Sequence, residues 1–164
     1  MTYQAPAATE IGHVHLKVAD IDRALAFYQG VLGFNLVMRM GDSAAFVSAG
    51  GYHHHIGLNT WHSQRGTPAP AHHTGLYHFA IKYPSRRDLA AVVRRVMDAG
   101  VPLQGVADHG VSEAVYLTDV DGNGIELYRD RPKFEWPRGA DGGILMTMAE
   151  PLDLDALLRE APRD

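Results

Sequence analysis

Gly12-His13-Val14-His15-Leu16-Lys17-Val18 and Leu76-Tyr77-His78-Phe79-Ala80-Ile81-Lys82-Tyr83 carry a histidine, apolar residues and a lysine in matching positions. In the first stretch Val14, Leu16 and Val18 alternate with His13, His15 and Lys17, the period-two pattern of a half-buried strand with both histidines on one face. Asp20 then stands where a helix cap belongs. It precedes a helical pattern over residues 21–28, which Gly30 and Gly33 stop. Three short strands are expected around residues 34–38, 44–48 and 53–59, with turns at Gly41-Asp42 and Gly50-Gly51. After the second stretch the same order returns. Residues 86–99 read as a helix with Leu89, Val92, Val93 and Val96 at helical spacing and Gly100 as its stop. Strands follow near 103–106, 114–118 and 124–128, the last pair joined through Asp121-Gly122-Asn123-Gly124. The sequence therefore predicts an α+β fold made by duplication, two βαβββ modules in tandem.

The expected boundaries are an N-terminal extension over 1–10, a first module over 11–61, a linker over 62–75, a second module over 76–130 and a C-terminal extension over 131–164. The linker is placed by its turn formers and His72-His73, which break any periodicity. The extension beyond Arg129 is rich in Pro, Gly and Asp, and only residues 152–158 look helical. It is expected to cover either a site mouth or a dimer surface.

Composition narrows the function. A chain of 164 residues with 46% hydrophobic content has enough apolar material for one compact domain. A formal charge of -4 with both signs interspersed offers no basic stripe for nucleic acid and no polybasic membrane anchor. The absence of cysteine excludes thiolate zinc sites, iron–sulfur clusters and cysteine nucleophiles, so any metal must be held by His, Asp or Glu. No signal-peptide pattern opens the chain and no apolar run is long enough to span a bilayer, which makes a cytoplasmic location the expectation. Ten histidines are the compositional oddity.

Overlaying the two halves sets His13 on His78 and Ile56-Gly57-Leu58 on Ile125-Glu126-Leu127. One half carries a carboxylate where the other carries no side chain. Two imidazoles and one carboxylate, with the fourth position empty, make a facial triad with open coordination sites. That ligand set favours non-haem Fe(II), with Mn(II), Ni(II) and Zn(II) as alternatives. Taken singly, a strand histidine is more often a hydrogen-bonded residue than a ligand, and a terminal-strand Glu is usually solvated. The repeat-related placement of all three is what singles them out.

The motifs His13-Val14-His15-Leu16-Lys17-Val18-Ala19-Asp20, Ala26-Phe27-Tyr28, Val31-Leu32-Gly33-Phe34 and Asp119-Val120-Asp121-Gly122-Asn123-Gly124-Ile125-Glu126-Leu127 resemble the glyoxalase/bleomycin-resistance/extradiol-dioxygenase, or vicinal-oxygen-chelate, superfamily. The likeness spans residues 11 to about 137 and implies two βαβββ modules forming a cupped mixed sheet around a metal. Gly51-Tyr52-His53-His54-His55-Ile56-Gly57-Leu58-Asn59-Thr60-Trp61 and Tyr128-Arg129-Asp130-Arg131-Pro132 are most similar to the catechol-2,3-dioxygenase-like branch. That branch usually has Pro where Val120 stands, a difference that alters a turn and touches no ligand.

The resemblance implies His13, His78 and Glu126 as metal ligands, His54 as acid–base histidine, and Tyr116 and His109 as groups that orient substrate oxygens. Register alone does not decide which of His53, His54 and His55 faces inward, and Tyr116 reads equally as a core aromatic. The implied reaction is ring cleavage of a catechol-like small molecule by O2, in aromatic catabolism, with a homodimer common for such folds. Two rivals stand beside it. A glyoxalase I-type isomerase needs a second carboxylate, where Gly57 stands. A metal-free antibiotic-binding protein has no use for all three ligands.

Overall fold

The computed structural model describes residues 2–147 and 150–162; Met1, Met148, Ala149, Arg163 and Asp164, which fall within the two expected terminal extensions, lie outside the described residues. The chain divides into two compact units, Met1–Thr67 and Pro68–Asp164.

The first unit runs β1 (Val14–Lys17), α1 (Ile21–Leu25), β2 (Asn35–Met40), β3 (Ala44–Ser48) and β4 (Ile56–Asn59). Its four-stranded sheet has the order β1-β4-β3-β2, with β1 parallel to β4 and the other pairs antiparallel. Asp20 caps α1 by accepting the Arg23 N–H at 2.8 Å. The helix does not continue regularly to Tyr28 as its spacing predicts. It widens after Leu25 into a π-helical turn over Ala26–Val31, and Gly33, with φ of 81°, ends it. Ile21, Ala24, Leu25 and Tyr28 are buried on this side, as are Leu16, Val47, Ile56 and Leu58 of the sheet.

β1 and β4 both start later than the sequence predicts. The ladder between β1 and its neighbour opens with the Val14 N–H donating to the His55 carbonyl at 3.0 Å, so His13 lies in the lead-in and His53 to His55 in the approach to β4.

The second unit runs β5 (Phe79–Lys82), α2 (Arg86–Asp98), β6 (Gly105–Asp108), β7 (Ser112–Thr118), β8 (Gly124–Asp130) and α3 (Leu154–Leu158). Its sheet repeats the plan, in the order β5-β8-β7-β6 with β5 parallel to β8. Ser85 caps α2 by accepting the Asp88 N–H at 3.1 Å while its hydroxyl donates to the Asp88 carboxylate at 2.5 Å. Leu89, Val92, Val93 and Val96 form the buried stripe, and Gly100, with φ of 72°, supplies the left-handed C-terminal stop. Burying four such side chains contributes roughly 1.5–3 kcal/mol each, which is what docks the helix on β8 and α3.

The segment beyond β8 is built into this unit. The Asp108 N–H donates to the Glu150 carbonyl at 2.9 Å and the Thr147 N–H to the His109 carbonyl at 3.1 Å, so the returning chain pairs with the end of the β6–β7 hairpin. Among the described residues no helix is long and apolar enough to cross a membrane.

The duplication is written in the register. Val14 and His15 pair with Ile56 and Gly57 in one unit; Phe79 and Ala80 pair with Ile125 and Glu126 in the other. Phe46 stands across from Gly57, and Tyr116 across from Glu126. The row His15, Gly57, Phe46 therefore corresponds to the row Ala80, Glu126, Tyr116, with His13 and His78 each just ahead of the first strand.

Candidate functional site

In the second unit four of the residues singled out from sequence come together. His78 Nε2 lies 3.1 Å from one Glu126 carboxylate oxygen. The other oxygen of Glu126 is 3.3 Å from the Tyr116 hydroxyl, and Tyr116 is in turn 2.8 Å from His109 Nε2. Strand geometry explains the cluster. Tyr116 and Glu126 are directly opposed across β7 and β8, so their side chains leave the sheet on one face. His78 reaches the same face because β8 begins with glycine. A Cβ on Gly124 would overlap the Tyr77 carbonyl oxygen and come within 3.1 Å of the His78 Cβ. The sequence places Gly124 in the turn and at the start of the last strand; its close-approach role belongs to the tertiary pairing.

His109 is set at the end of the β6–β7 hairpin by a two-residue loop, in which Gly110 has φ of 74° and donates its N–H to the Asp108 carboxylate at 2.9 Å. The opposite ring nitrogen of His109, Nδ1, lies 2.7 Å from the Thr147 carbonyl. Thr147 was not among the sequence candidates, because pairing with an irregular segment leaves no periodic signal. Burial, then the negative charge of Glu126, push the Tyr116 phenol up to about 12, so it keeps its proton.

The first unit brings His13 and His54 together, ring centroids 4.4 Å apart, with Phe46 5.1 Å from His54. The neighbouring histidines are engaged differently. His55 turns to the Ser48 hydroxyl at 3.0 Å and accepts the Ala49 N–H at 3.2 Å through Nδ1. His53 stacks on Tyr52 at 4.1 Å and meets His54 with the two Nδ1 atoms 2.8 Å apart. Only His54 of the triplet lies against His13. Burial, then the nearby His13, His53, His15 and His55 imidazoles, lower the His54 ring below the ordinary histidine range. His15 sits edge-on to Phe46 at 5.7 Å and against Trp61 at 5.6 Å, and burial followed by His13 lowers it too. Beneath it, a Cβ on Gly57 would lie 2.9 Å from the His15 ring. Lys82 pairs with Asp130 at 3.5 Å at the sheet surface.

Among the described residues, no three His, Asp or Glu side chains form a ready-made metal cluster. What is preassembled is a pair. His78 Nε2 and Glu126 at 3.1 Å have the chemistry and spacing of two ligands that share one cation with bonds of about 2.0–2.2 Å, and the donor set, imidazole plus carboxylate, fits a borderline divalent ion.

The profile of the Glyoxalase/Bleomycin resistance protein/Dioxygenase superfamily matches residues 10–127. The chain belongs to this superfamily. It is 40% identical over 153 residues to the catechol-2,3-dioxygenase of Bacillus subtilis (strain 168), an overlap covering 93% of this chain and 52% of that protein. It is 28% identical over 123 residues to biphenyl-2,3-diol 1,2-dioxygenase 3 of Rhodococcus globerulus, covering 73% of this chain and 63% of the relative. The chain thus spans about half to two thirds of the length of these superfamily relatives. A crystal structure of a glyoxylase/bleomycin resistance protein/dioxygenase domain from Frankia sp. EAN1pec overlays on 77% of this chain and 96% of its own with a TM-score of 0.63; at 20% identity it shows the superfamily fold alone.

Proposed function

We propose that this chain is a metal-dependent extradiol-type dioxygenase that opens the ring of a catechol-like substrate with O2, its metal held by His13, His78 and Glu126. The observation that carries the reading is the second unit's His78–Glu126 pair with Tyr116 and His109 joined to it by hydrogen-bonding distances of 3.3 and 2.8 Å. A ligand pair and a hydrogen-bonding pair on one sheet face are what orientation of a diol beside a cation requires. The names of the two dioxygenase relatives support the same reaction class.

Fe(II) is the ion proposed, and it would supply Lewis acidity toward the diol and one-electron chemistry with O2. The chain's own groups do the remaining work. His54, whose ring is lowered by burial and its imidazole neighbours, accepts a proton from the substrate hydroxyl and returns it later in the reaction. Tyr116, which keeps its proton, and His109 orient the substrate oxygens. The isomerase alternative loses ground at Gly57, which pairs with His15 where β8 has Glu126: there is no carboxylate, and the His15 ring fills the space one would need.

The test is anaerobic loading with Fe(II), addition of catechol, then air. The yellow ring-cleavage product is expected. No colour across a panel of catechols, with turnover in a lactoylglutathione assay instead, would replace this reading by the isomerase.

A further inference from the structure

Thr147, in the irregular segment beyond β8, touches His109 from behind. The Thr147 N–H donates to the His109 carbonyl at 3.1 Å, the Thr147 hydroxyl donates to the Asp108 carbonyl at 2.8 Å, and the Thr147 carbonyl lies 2.7 Å from His109 Nδ1. A carbonyl oxygen only accepts, so His109 Nδ1 must carry a hydrogen. In the neutral ring the other nitrogen, Nε2, is then a bare acceptor. It faces the Tyr116 hydroxyl at 2.8 Å.

A phenol has one hydrogen. The Tyr116 oxygen is also 3.3 Å from Glu126, and it cannot donate to both groups at once. The shorter contact, to a nitrogen that has only a lone pair to offer, takes the hydrogen. We propose that Thr147 is a positioning residue: it locks His109 in the Nδ1–H tautomer, which draws the Tyr116 hydrogen onto His109 Nε2, keeps it off Glu126, and leaves the tyrosine oxygen as an acceptor for a substrate hydroxyl. Its bearing on catalysis rests on the ring-cleavage reading above. The opposite tautomer would reverse the chain of donors, with Nε2–H donating to Tyr116 and Tyr116 donating to Glu126, so that the carboxylate would share its charge with a phenol instead of giving it wholly to a cation.

The tautomer is measurable without any metal or turnover. In the full chain labelled with 15N in its imidazoles, long-range 15N–1H correlation distinguishes Nδ1–H from Nε2–H rings, and His109→Gln assigns the signal by deleting it. His55 is an internal reference of the opposite kind, since its Nδ1 accepts the Ala49 N–H. His109 is expected to favour Nδ1–H by about tenfold, the worth of one net hydrogen bond. Thr147→Val removes the hydroxyl anchor and Thr147→Pro the N–H; each should bring the ratio toward unity, and Thr147→Ser should restore it. Should the proline variant not fold, the valine and serine pair decides. A wild-type His109 carrying its hydrogen on Nε2, or a ratio unmoved in Thr147→Val, overturns the proposal. The expected tautomers without catechol cleavage would leave the role of Thr147 standing and remove the dioxygenase reading; cleavage with the wrong tautomer would do the reverse.

Discussion

His54 sits among four other imidazoles, and burial first, then that crowding, lowers its ring. Burial and like neighbours both disfavour the charged form of such a ring, the direction that suits a group proposed to take up a substrate proton. If it is the acid–base group, His54→Gln should lower kcat by about 10² to 10⁴-fold with bound iron unchanged, whereas His55→Gln, at a ring already engaged by Ser48 and Ala49, should leave kcat within a few-fold and act on stability. Tyr116→Phe removes the hydroxyl between His109 and Glu126 and should lower kcat by about 10²-fold with a smaller effect on KM; steady-state kinetics on catechol read all three. At this scale the sequence singles out His13, His78 and Glu126 through the repeat alone, because repeat-related positions need no knowledge of packing. It cannot separate His53, His54 and His55. Their orientations come from an irregular approach to β4, where each ring meets a different partner (Tyr52, His13 or Ser48) and no strand period operates.

Elements position these residues through glycine as much as through hydrogen bonds. Gly124 opens β8 against the backbone of Tyr77, and any Cβ there would push β5, and with it His78, away from Glu126. Gly124→Ala should therefore cost about 1–3 kcal/mol of stability by overpacking and weaken metal binding at least about tenfold, as one misplaced ligand would; thermal melts and anaerobic metal titration measure the two effects. A stability loss with unaltered metal affinity would show that His78 is not a ligand. Helix α2 and strand β3 are legible in advance: β3 matches its expected limits, α2 differs by a residue at its end, and the caps Asp20 and Gly100 act as their residue types predict. Edges are not. Alternation continues upstream of Val14, but a strand exists only where a neighbour supplies ladder partners, and β4 begins at Ile56. The widened turn after Leu25 likewise has no periodic signature.

Across the whole molecule the two units share a register and differ in chemistry. The row His15, Gly57, Phe46 is filled with rings, while Ala80, Glu126, Tyr116 carries the carboxylate and the phenol. The second unit is further tied by charge. Glu113, buried in β7, accepts from Arg86 at 2.9 Å, Arg129 at 2.8 Å and Arg131 at 3.3 Å, and Arg86 also pairs with Glu160 beyond α3. Glu113→Ala would leave three guanidinium groups without their common partner, at a cost of about 3–5 kcal/mol and about 10 °C in Tm. Asp108 extends this network toward His109. Burial tends to raise its carboxyl, but the Gly110 N–H and the Arg131 guanidinium outweigh that and hold it below the usual carboxylate range. A depressed folded value means stability that is complete above about pH 4, the unfolded value, and is lost as pH falls through the folded one. The stability gap between wild type and Asp108→Asn should thus be widest near neutral pH and close in acid, as denaturant melts at pH 7 and below pH 3 would record. The duplication itself is legible from the two matching stretches; the charge network is not, since its arginines lie on separate elements whose surface residues carry no period. The central claim is that His13, His78 and Glu126 grip one ion, and anaerobic titration with Fe(II) followed by elemental analysis tests it most directly. One iron per chain, abolished separately by His13→Ala, His78→Ala and Glu126→Ala while each variant still melts cooperatively, is the predicted result; wild-type protein that retains no iron, or variants that bind it as tightly as wild type, would contradict it.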